Sequence, residues 1–559
     1  MEQRMKPTVA IYGIQDRKNT SSPVYVHDHS LIVMENGRVT TCLQLERATR
    51  FKHDNRMHLY LEELWDSEKL SLSGDFDVVF VDSFVGRAFI SQSGRIRFEA
   101  PIANTLHTDR EKGYCWWDGK EIDGYVLNQE LAHIYSCIPF YGMFYDNSLL
   151  IHFDGGASQS NFSAWCYRDG VVKLLEYNWD MSYLSKYFND NALTFGILGA
   201  NRTEHLSVPG KLMGYAAYGT YRPEILEWLR SNGYFKELWQ DKTLFWESAR
   251  RKFHWLYSSF DTHDSFLQDI AATFQYDFQN QLLLKIESLQ LRTKCDYLYL
   301  TGGCALNIQA NMEIVKSGLF KDVFIPPCCN DSGLALGAAV FMELHKHNKI
   351  VFHSPYLNNF QIKEYEVNYT TETIQKVAEL LLQNKVIGVC NGYGEIGPRA
   401  LGNRSIIALA NSVSLRDQVS IHHKQREWYR PVAPIMLEKN AKKITGLDKI
   451  SSLAKYMLID FKVLPKFMEE LSGVVHINGT SRIQILSQKS ENPFMYDLLN
   501  YLDHQYGIHC LINTSLNSKG EPIVHTKEDA INSSKKMKLD ALVVNGILSF
   551  FDGENYVER

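Results

Sequence analysis

The residues best suited to chemistry lie in four stretches towards the end of the chain. Gly397-Pro-Arg-Ala-Leu-Gly-Asn-Arg404 sets Arg399 and Arg404 on a turn built from Gly397, Pro398 and Gly402. His422-His-Lys-Gln-Arg-Glu-Trp-Tyr-Arg-Pro431 brings Lys424 and Arg430, and Asn478-Gly-Thr-Ser-Arg482 brings Arg482. Asn513-Thr-Ser515 adds Asn513 and Ser515. Arginine presents a planar fork that matches phosphate and carboxylate oxygens. Such a set could surround a polyanion; the alternative is a solvated basic face.

The first of these stretches follows Gly392-Tyr-Gly-Glu-Ile-Gly397 and the apolar run Val386-Ile-Gly-Val-Cys390, which together spell the dinucleotide fingerprint G-x-G-x-x-G after a strand. A Rossmann loop needs a long helix after its third glycine, because the pyrophosphate rests on that helix's N-terminus. Here Gly402 interrupts the pattern and Ser405-Ile-Ile-Ala-Leu-Ala410 reads as a strand. The fingerprint is therefore read as accidental, and the loop as a carrier of arginines.

The elements that must position these groups are legible in outline. Tyr25 to Cys42 reads as two strands around Asn36-Gly37, a strong hairpin signal. Leu149 to Gly156 is a strand ending in Asp154-Gly155-Gly156, and Ser163 to Leu175 is a further strand-turn-strand. Both units place an acidic residue at a strand–turn junction, which suggests an internal duplication. Residues 262–292 carry helical periodicity and lead into the strand Asp296-Tyr-Leu-Tyr-Leu300. Thr301-Gly302-Gly303-Cys-Ala-Leu-Asn307 then opens a helix from Ala305 to about Ser317. Strand, double glycine and helix let a nucleotide come close to the backbone; tight strand–helix packing is the other use of that shape. Residues 351–366 are irregular, and a helix follows from Thr371 to about Gln383. The main domain boundary is placed between 355 and 370, giving domains 1–360 and 365–559.

Composition narrows the class. At roughly 100–200 residues per domain, a chain of 559 residues has room for about two to four domains. The net charge of −5, from 59 basic and 64 acidic residues, gives no basic excess for nucleic acid. No apolar run nears the roughly 18 residues of a membrane span, and the N-terminus lacks a signal core. The expectation is a cytoplasmic protein that binds neither nucleic acid nor membrane. The ten cysteines form no C-x-x-C pair, which argues against zinc ribbons and thioredoxin-like chemistry. The adjacent Cys328 and Cys329 are read as small buried hydrophobes in a reducing compartment.

Gly397 to Ser405, Trp428-Tyr-Arg-Pro-Val-Ala-Pro434 and Asn513 to Pro522 closely resemble the NodU/CmcH family of O-carbamoyltransferases. The resemblance runs nearly the whole length, through His27-Asp-His-Ser30, Leu45-Glu-Arg-Ala-Thr-Arg50, Asp154-Gly-Gly156, Gly210-Lys-Leu-Met-Gly-Tyr-Ala-Ala-Tyr-Gly219, Thr301-Gly-Gly303 and Asn330-Asp-Ser-Gly-Leu-Ala-Leu-Gly337. It implies an α/β protein. The N-terminal part would be an actin/sugar-kinase-like (Kae-like) duplicated domain, and the C-terminal part a YrdC-like twisted α/β domain. The C-terminal domain would make carbamoyl adenylate from carbamoyl phosphate and ATP, through Arg399, Arg404, Lys424, Arg430, Arg482, Asn513 and Ser515. The N-terminal domain would hold the nucleotide at Asp154, Gly155, Gly156, Gly302, Gly303 and Asn307. There the carbamoyl group would pass to a small-molecule hydroxyl in secondary-metabolite or antibiotic biosynthesis, with His27 taking the proton, Lys211 as a further activating group, and AMP as product. A homodimer is an admissible assembly.

The family also carries H-x-x-x-H on a helix which, with a downstream aspartate, holds a divalent metal, usually iron. This chain has Gln129-Glu-Leu-Ala-His133 instead. His133 and Asp331 match the family's ligands, and Gln129 stands where the first histidine belongs. Glutamine is a poor neutral ligand beside imidazole, whereas Glu130 and His133 form the known Glu-x-x-His ligand pair. His152 and Asp154 share a strand face and are further contributors. Three outcomes stay open: a rebuilt site, a harder metal such as magnesium, or no metal. The last admits a different class of protein, a catalytically degraded ATP-binding scaffold or regulatory paralogue.

Overall fold

The computed structural model describes residues 6–15, 26–67, 75–101, 110–184, 191–256, 259–552 and 555–558. Its first sheet has eight strands. Thr8–Tyr12 runs through the middle, antiparallel to Ser30–Glu35, which pairs in turn with Arg38–Gln44. On its other side it is parallel to Asp77–Val81, which is parallel to Lys120–Leu127. The second sheet repeats the plan with five strands. Ser148–Phe153 is antiparallel to Phe162–Arg168, which pairs with Val171–Asn178. Its other neighbour is the parallel strand Tyr297–Thr301, followed by Asp322–Phe324. The same order and the same directions twice over make this the duplicated actin/sugar-kinase-like plan.

The two corresponding hairpins turn on matching chemistry. Asn36-Gly37 has φ of +51° and +73°, and Asp169-Gly170 has +50° and +77°. Asn, Asp and Gly tolerate this left-handed pair, which suits the twist of the flanking strands. The first hairpin strand begins at Ser30, and Tyr25 lies outside the described residues. The helix expected over 262–292 spans Ser265–Thr293, capped by the Asp264 carboxylate on the amides of Phe266 and Leu267. The helix expected from Ala305 splits into a short 3-10 turn, Gly303–Leu306, and the helix Ile308–Lys316.

The third sheet lies wholly after Val386. Its eight strands mix parallel and antiparallel pairs, with Ala433–Leu437, Cys510–Ser515, Arg404–Leu409, Ile387–Cys390 and Ala541–Val544 in adjacent order. It forms the YrdC-like α/β part of the fold. The strand Arg404–Leu409 folds back antiparallel on Ile387–Cys390. No helix follows Gly397, so the glycine fingerprint is not a Rossmann loop. Residues 346–370, between the second and third sheets, contain neither helix nor strand beyond one isolated bridge, Asn358 to Gly394.

The helix Leu334–His345 packs on Thr8–Tyr12 and on Gln129–Tyr135. A Cβ at Gly337 would come 1.7 Å from the Ala132 carbonyl oxygen, so only glycine lets the two helices meet this closely. That contact sets Gln129 and His133 beside Asp331, which starts the turn into the same helix. The short helix Leu45–Thr49 joins the two parts of the chain. Arg47 donates to the Gly397 carbonyl at 3.0 Å, and Arg50 donates to Ile523 and Pro522 at 2.8 and 3.0 Å. All ten cysteines are free, and Cys328 and Cys329 are buried. Among the described residues no helix is long and apolar enough to cross a membrane.

Candidate active site

Two clusters of charged side chains adjoin. The first gathers Tyr12, at the end of the central strand, with His27 and Asp28 from the next loop, His133, Asp154 and Asp331. Tyr12 donates to one Asp331 oxygen at 3.0 Å, and His27 Nδ1 is 3.7 Å from that oxygen. His133 Nε2 lies 3.5 Å from the other Asp331 oxygen and 3.8 Å from Asp154. His27 and His53 bond the two oxygens of Asp28, at 3.1 and 2.9 Å. Asp154 also accepts from the amides of Gly155 and Gly303, which draws its own glycine turn against the one that follows Thr301. Gly302 has φ of +90°, and a Cβ there would sit 2.2 Å from the Phe153 carbonyl. Gly156 lies under the Trp179 ring.

Electrostatics shows what this cluster lacks. Burial, and then the charge of Asp331, push the Asp154 carboxyl above the ordinary range. Burial opposes charge on His27, but Asp331, Asp28 and Asp154 outweigh it and push the imidazole up to about 9. His27 is therefore charged at neutral pH in the free site. In that state the ring donates to Asp28, and it can take up a hydroxyl proton once its own is displaced. Buried carboxylates this close call for a cation. Gln129 Oε1, His133 Nδ1 and His152 Nε2 are buried without partners. His133, His152 and Asp154 bring one ligand atom each within 4.8 Å of one another. The donor set fits a divalent cation.

Each proposed substitute for the missing histidine is tied down through one atom, and among the described residues Gln129 Oε1 and Glu130 Oε2 keep no partner. The Gln129 amide nitrogen donates to the Tyr12 hydroxyl at 3.2 Å. Glu130 accepts through Oε1 from the amides of Gln159 and Ser160, at 2.8 and 3.0 Å. Spacing puts Glu130 and His133 on one helix; the loop amides hold one oxygen of the carboxylate, and the ligand atoms that converge are those of His133, His152 and Asp154.

The second cluster is cationic. Arg399, Lys424, Arg426, Arg430 and Arg482 come from the C-terminal part, and Lys52 reaches it from the turn after Arg50. Burial, then Arg399, Arg426 and Arg430, hold Arg482 well below the usual guanidinium range. Arg426 is lowered by burial and then by Arg430 and Arg399. Lys424 is lowered by burial and then by Arg426, Arg430 and Lys52. Lys52 is lowered chiefly by burial; Glu46 opposes this, and Arg430 and Arg426 add to it. The Nε atoms of Arg399 and Arg482 are buried without partners. Lys424 donates to Ser515 and Asn517. The Asn513 amide nitrogen bonds Gln484 at 2.6 Å, leaving its oxygen unpartnered. Mutual repulsion among half-buried cations marks a site prepared for anions. Asp28 acts on the same Lys52 ammonium, so this recess adjoins the His–Asp cluster.

Three expected site residues are engaged elsewhere. Arg404 makes five hydrogen bonds to the carbonyls of Asn391, Gly392, Asn403 and His525. Its guanidinium therefore has no donor left for phosphate. Lys211 lies 2.5 Å from Glu204 and 2.9 Å from Glu427, so it is already neutralised. Asn307 caps the helix Ile308–Lys316 through the Ala310 amide and exchanges two hydrogen bonds with Gln275. Two further cations escaped the sequence reading. Arg426 lies inside the basic stretch already singled out, whereas nothing in the sequence ties Lys52 to it.

Two family models match the chain. One described as the carbamoyltransferase N-terminus matches residues 121–340, and one described as the carbamoyltransferase C-terminus matches residues 378–549. The chain belongs to the carbamoyltransferase family. This carbamoyltransferase is 26% identical to nodulation protein NolNO of Sinorhizobium fredii, over 94% of its own length and 79% of the relative's. It is 28% identical to nodulation protein U of Azorhizobium caulinodans, over 88% of its length and 92% of that protein. Among solved structures, full-length HypF in the phosphate- and nucleotide-bound form gives a TM-score of 0.32 at 11% identity, covering 62% of this carbamoyltransferase and 56% of HypF. A ROK-family glucokinase from Streptomyces griseus with glucose and AMPPNP gives 0.26 at 12%, covering 60% and 98%.

Proposed function

We propose that the chain is an ATP-dependent O-carbamoyltransferase that works in two stages. In the first, carbamoyl phosphate is hydrolysed to carbamate and phosphate, and a carbamate oxygen attacks the α-phosphorus of ATP. Pyrophosphate leaves, and carbamoyl adenylate remains. In the second, a hydroxyl of a small-molecule natural product attacks the carbamoyl carbon, and AMP leaves with the electron pair of the broken C–O bond. The observation that carries this reading is the cationic recess. Arg399, Arg426, Arg430 and Arg482 repel one another there with few carboxylates between them. A polyphosphate supplies the missing negative charge, and fixed cations stabilise the charge that builds up during phosphoryl transfer.

Asp154 and the glycine turns it ties together are the proposed seat of the adenylate phosphate, and Lys52 lies on the way to it. His133, Asp154 and Asp331 would hold a divalent cation, which would offset the carboxylate charge that keeps His27 protonated and polarise the phosphate and carbamoyl oxygens. His27 itself stands beside Asp28 and Asp331, where it can hold or take up the hydroxyl proton. Gln129 is the one observation that favours a degraded, nucleotide-binding scaffold instead. Purified protein given ATP should release pyrophosphate only when carbamoyl phosphate is present. Absence of that release, with ATP still bound, would establish the scaffold.

A further inference from the structure

We infer that this chain has rebuilt its metal site around His152, which supplies the second imidazole in place of a residue at position 129. The inference rests on the metal-assisted reading of the His–Asp cluster. Three observations carry it. His152, His133 and Asp154 have ligand atoms within 4.8 Å of one another. The two imidazole rings stack with centroids 5.0 Å apart and planes 24° from parallel, as two rings presented to one point can do. The two nitrogens of His152 also have different surroundings. Ser163 lies directly across the strand pair from His152, and its hydroxyl is 3.2 Å from Nδ1. The hydroxyl can accept the proton of Nδ1, and in that tautomer the Nε2 lone pair is free; among the described residues Nε2 is buried without a partner. Metal-bound histidines are usually oriented in this way, by a partner on the far nitrogen.

Position 129 plays a different part. The Gln129 amide nitrogen holds the Tyr12 hydroxyl, and that hydroxyl donates to Asp331. Gln129 is thus a positioning residue for the carboxylate. Two imidazoles with Asp154, and with Asp331 3.5 Å from His133 Nε2, make a nitrogen–oxygen set suited to a first-row divalent metal such as iron, cobalt or zinc.

The test uses Co²⁺ uptake by the full-length protein, followed by visible absorption and by elemental analysis after dialysis. Native protein should take up one ion per chain and show two hyperfine-shifted imidazole N–H protons. His152→Asn should weaken Co²⁺ binding at least 100-fold and change the visible bands. Gln129→Ala and Ser163→Ala, which remove positioning residues and not ligands, should each lose only about 10-fold. Native binding by His152→Asn would overturn the inference, as would a single shifted imidazole proton in the native protein, a reading that does not depend on the variants folding. A protein that makes adenylate and carbamate ester yet takes up no Co²⁺ would overturn it too, while leaving the carbamoyl-transfer reading intact.

Discussion

The Lys211 ammonium lies 2.9 Å from the Glu427 carboxylate, and so bridges a buried helix of the N-terminal part to the arginine-bearing segment of the C-terminal part. Glu427 also lies 3.6 Å from Arg430. One buried lysine thereby fixes the carboxylate that stands beside an anion-directed arginine. Replacing Lys211 with Met should destabilise the protein by about 1.5–3 kcal/mol, the range for hydrogen bonds to charged groups. Adding Glu427→Gln should recover part of that loss. Strict additivity in a denaturation cycle would show that the pair is uncoupled.

Arg482 should behave in the opposite way. Among the described residues it has no carboxylate partner in hydrogen-bonding range and a buried unpartnered Nε. Arg482→Met removes a half-buried charge from a repulsive group, so the melting temperature of the free protein should hold or rise. Carbamoyl-phosphate-dependent pyrophosphate release should fall by about 10- to 150-fold, the equivalent of one charged hydrogen bond. Pyrophosphate should also raise the melting temperature of native protein more than that of the variant. A destabilised variant with native kinetics would reassign Arg482 to the scaffold.

Asn307 offers a clean separation of roles. Loss of its cap in Asn307→Ala should cost about 1 kcal/mol, with ATP affinity unchanged. Isothermal titration showing a tenfold weaker ATP complex would return Asn307 to the nucleotide site.

Stability should also depend on His525. Its Nε2 bonds the Phe360 carbonyl at 2.6 Å. Burial is the main cause that pushes its imidazole down to about 4; the Phe360 bond opposes this, and Arg404 and Arg47 add to it. An unfolded histidine titrates near about 6.5. Between those values the folded state binds fewer protons than the unfolded one. The contribution is therefore fully present above about 6.5 and is lost as pH falls towards 4, up to about 3 kcal/mol. In His525→Gln the amide can still donate to Phe360 but cannot titrate. Its melting temperature should fall less between pH 7 and pH 5 than that of native protein. Parallel profiles would show that other groups carry the acid sensitivity.

What could be read from the sequence follows a physical line. Asn36-Gly37 and the run around Asp169-Gly170 announced their hairpins because left-handed turns admit few residue types. Gly402 and the β-rich Ser405 run excluded a Rossmann helix for the same kind of local reason. Residue roles were harder. Arg404, Lys211, Asn307 and Glu130 have the right chemical types, but a type does not say which neighbour claims the donors. The carbonyls around Arg404 and the amides of Gln159 and Ser160 come from chain segments that meet only after folding. Lys52 was invisible because its partners are distant in sequence. His152 could be weighed only as a strand neighbour of Asp154, since its stacking on His133 is tertiary.

The arginine that holds carbonyls has an entropic meaning. From within, Arg404 ties together the segments around Asn391, Gly392, Asn403 and His525. The Glu395 carboxylate does the same for the amides of Leu401, Asn403 and Arg404. The loop bearing Arg399 is thereby frozen when the chain folds, before any anion arrives. Ordering about ten residues at the moment of binding would cost roughly 1–2 kcal/mol each in backbone freedom, and here that cost falls on folding instead. On the proposed function, capture of a polyphosphate would need no closing motion of this loop, and its rate should depend on diffusion and on the ionic atmosphere around the recess.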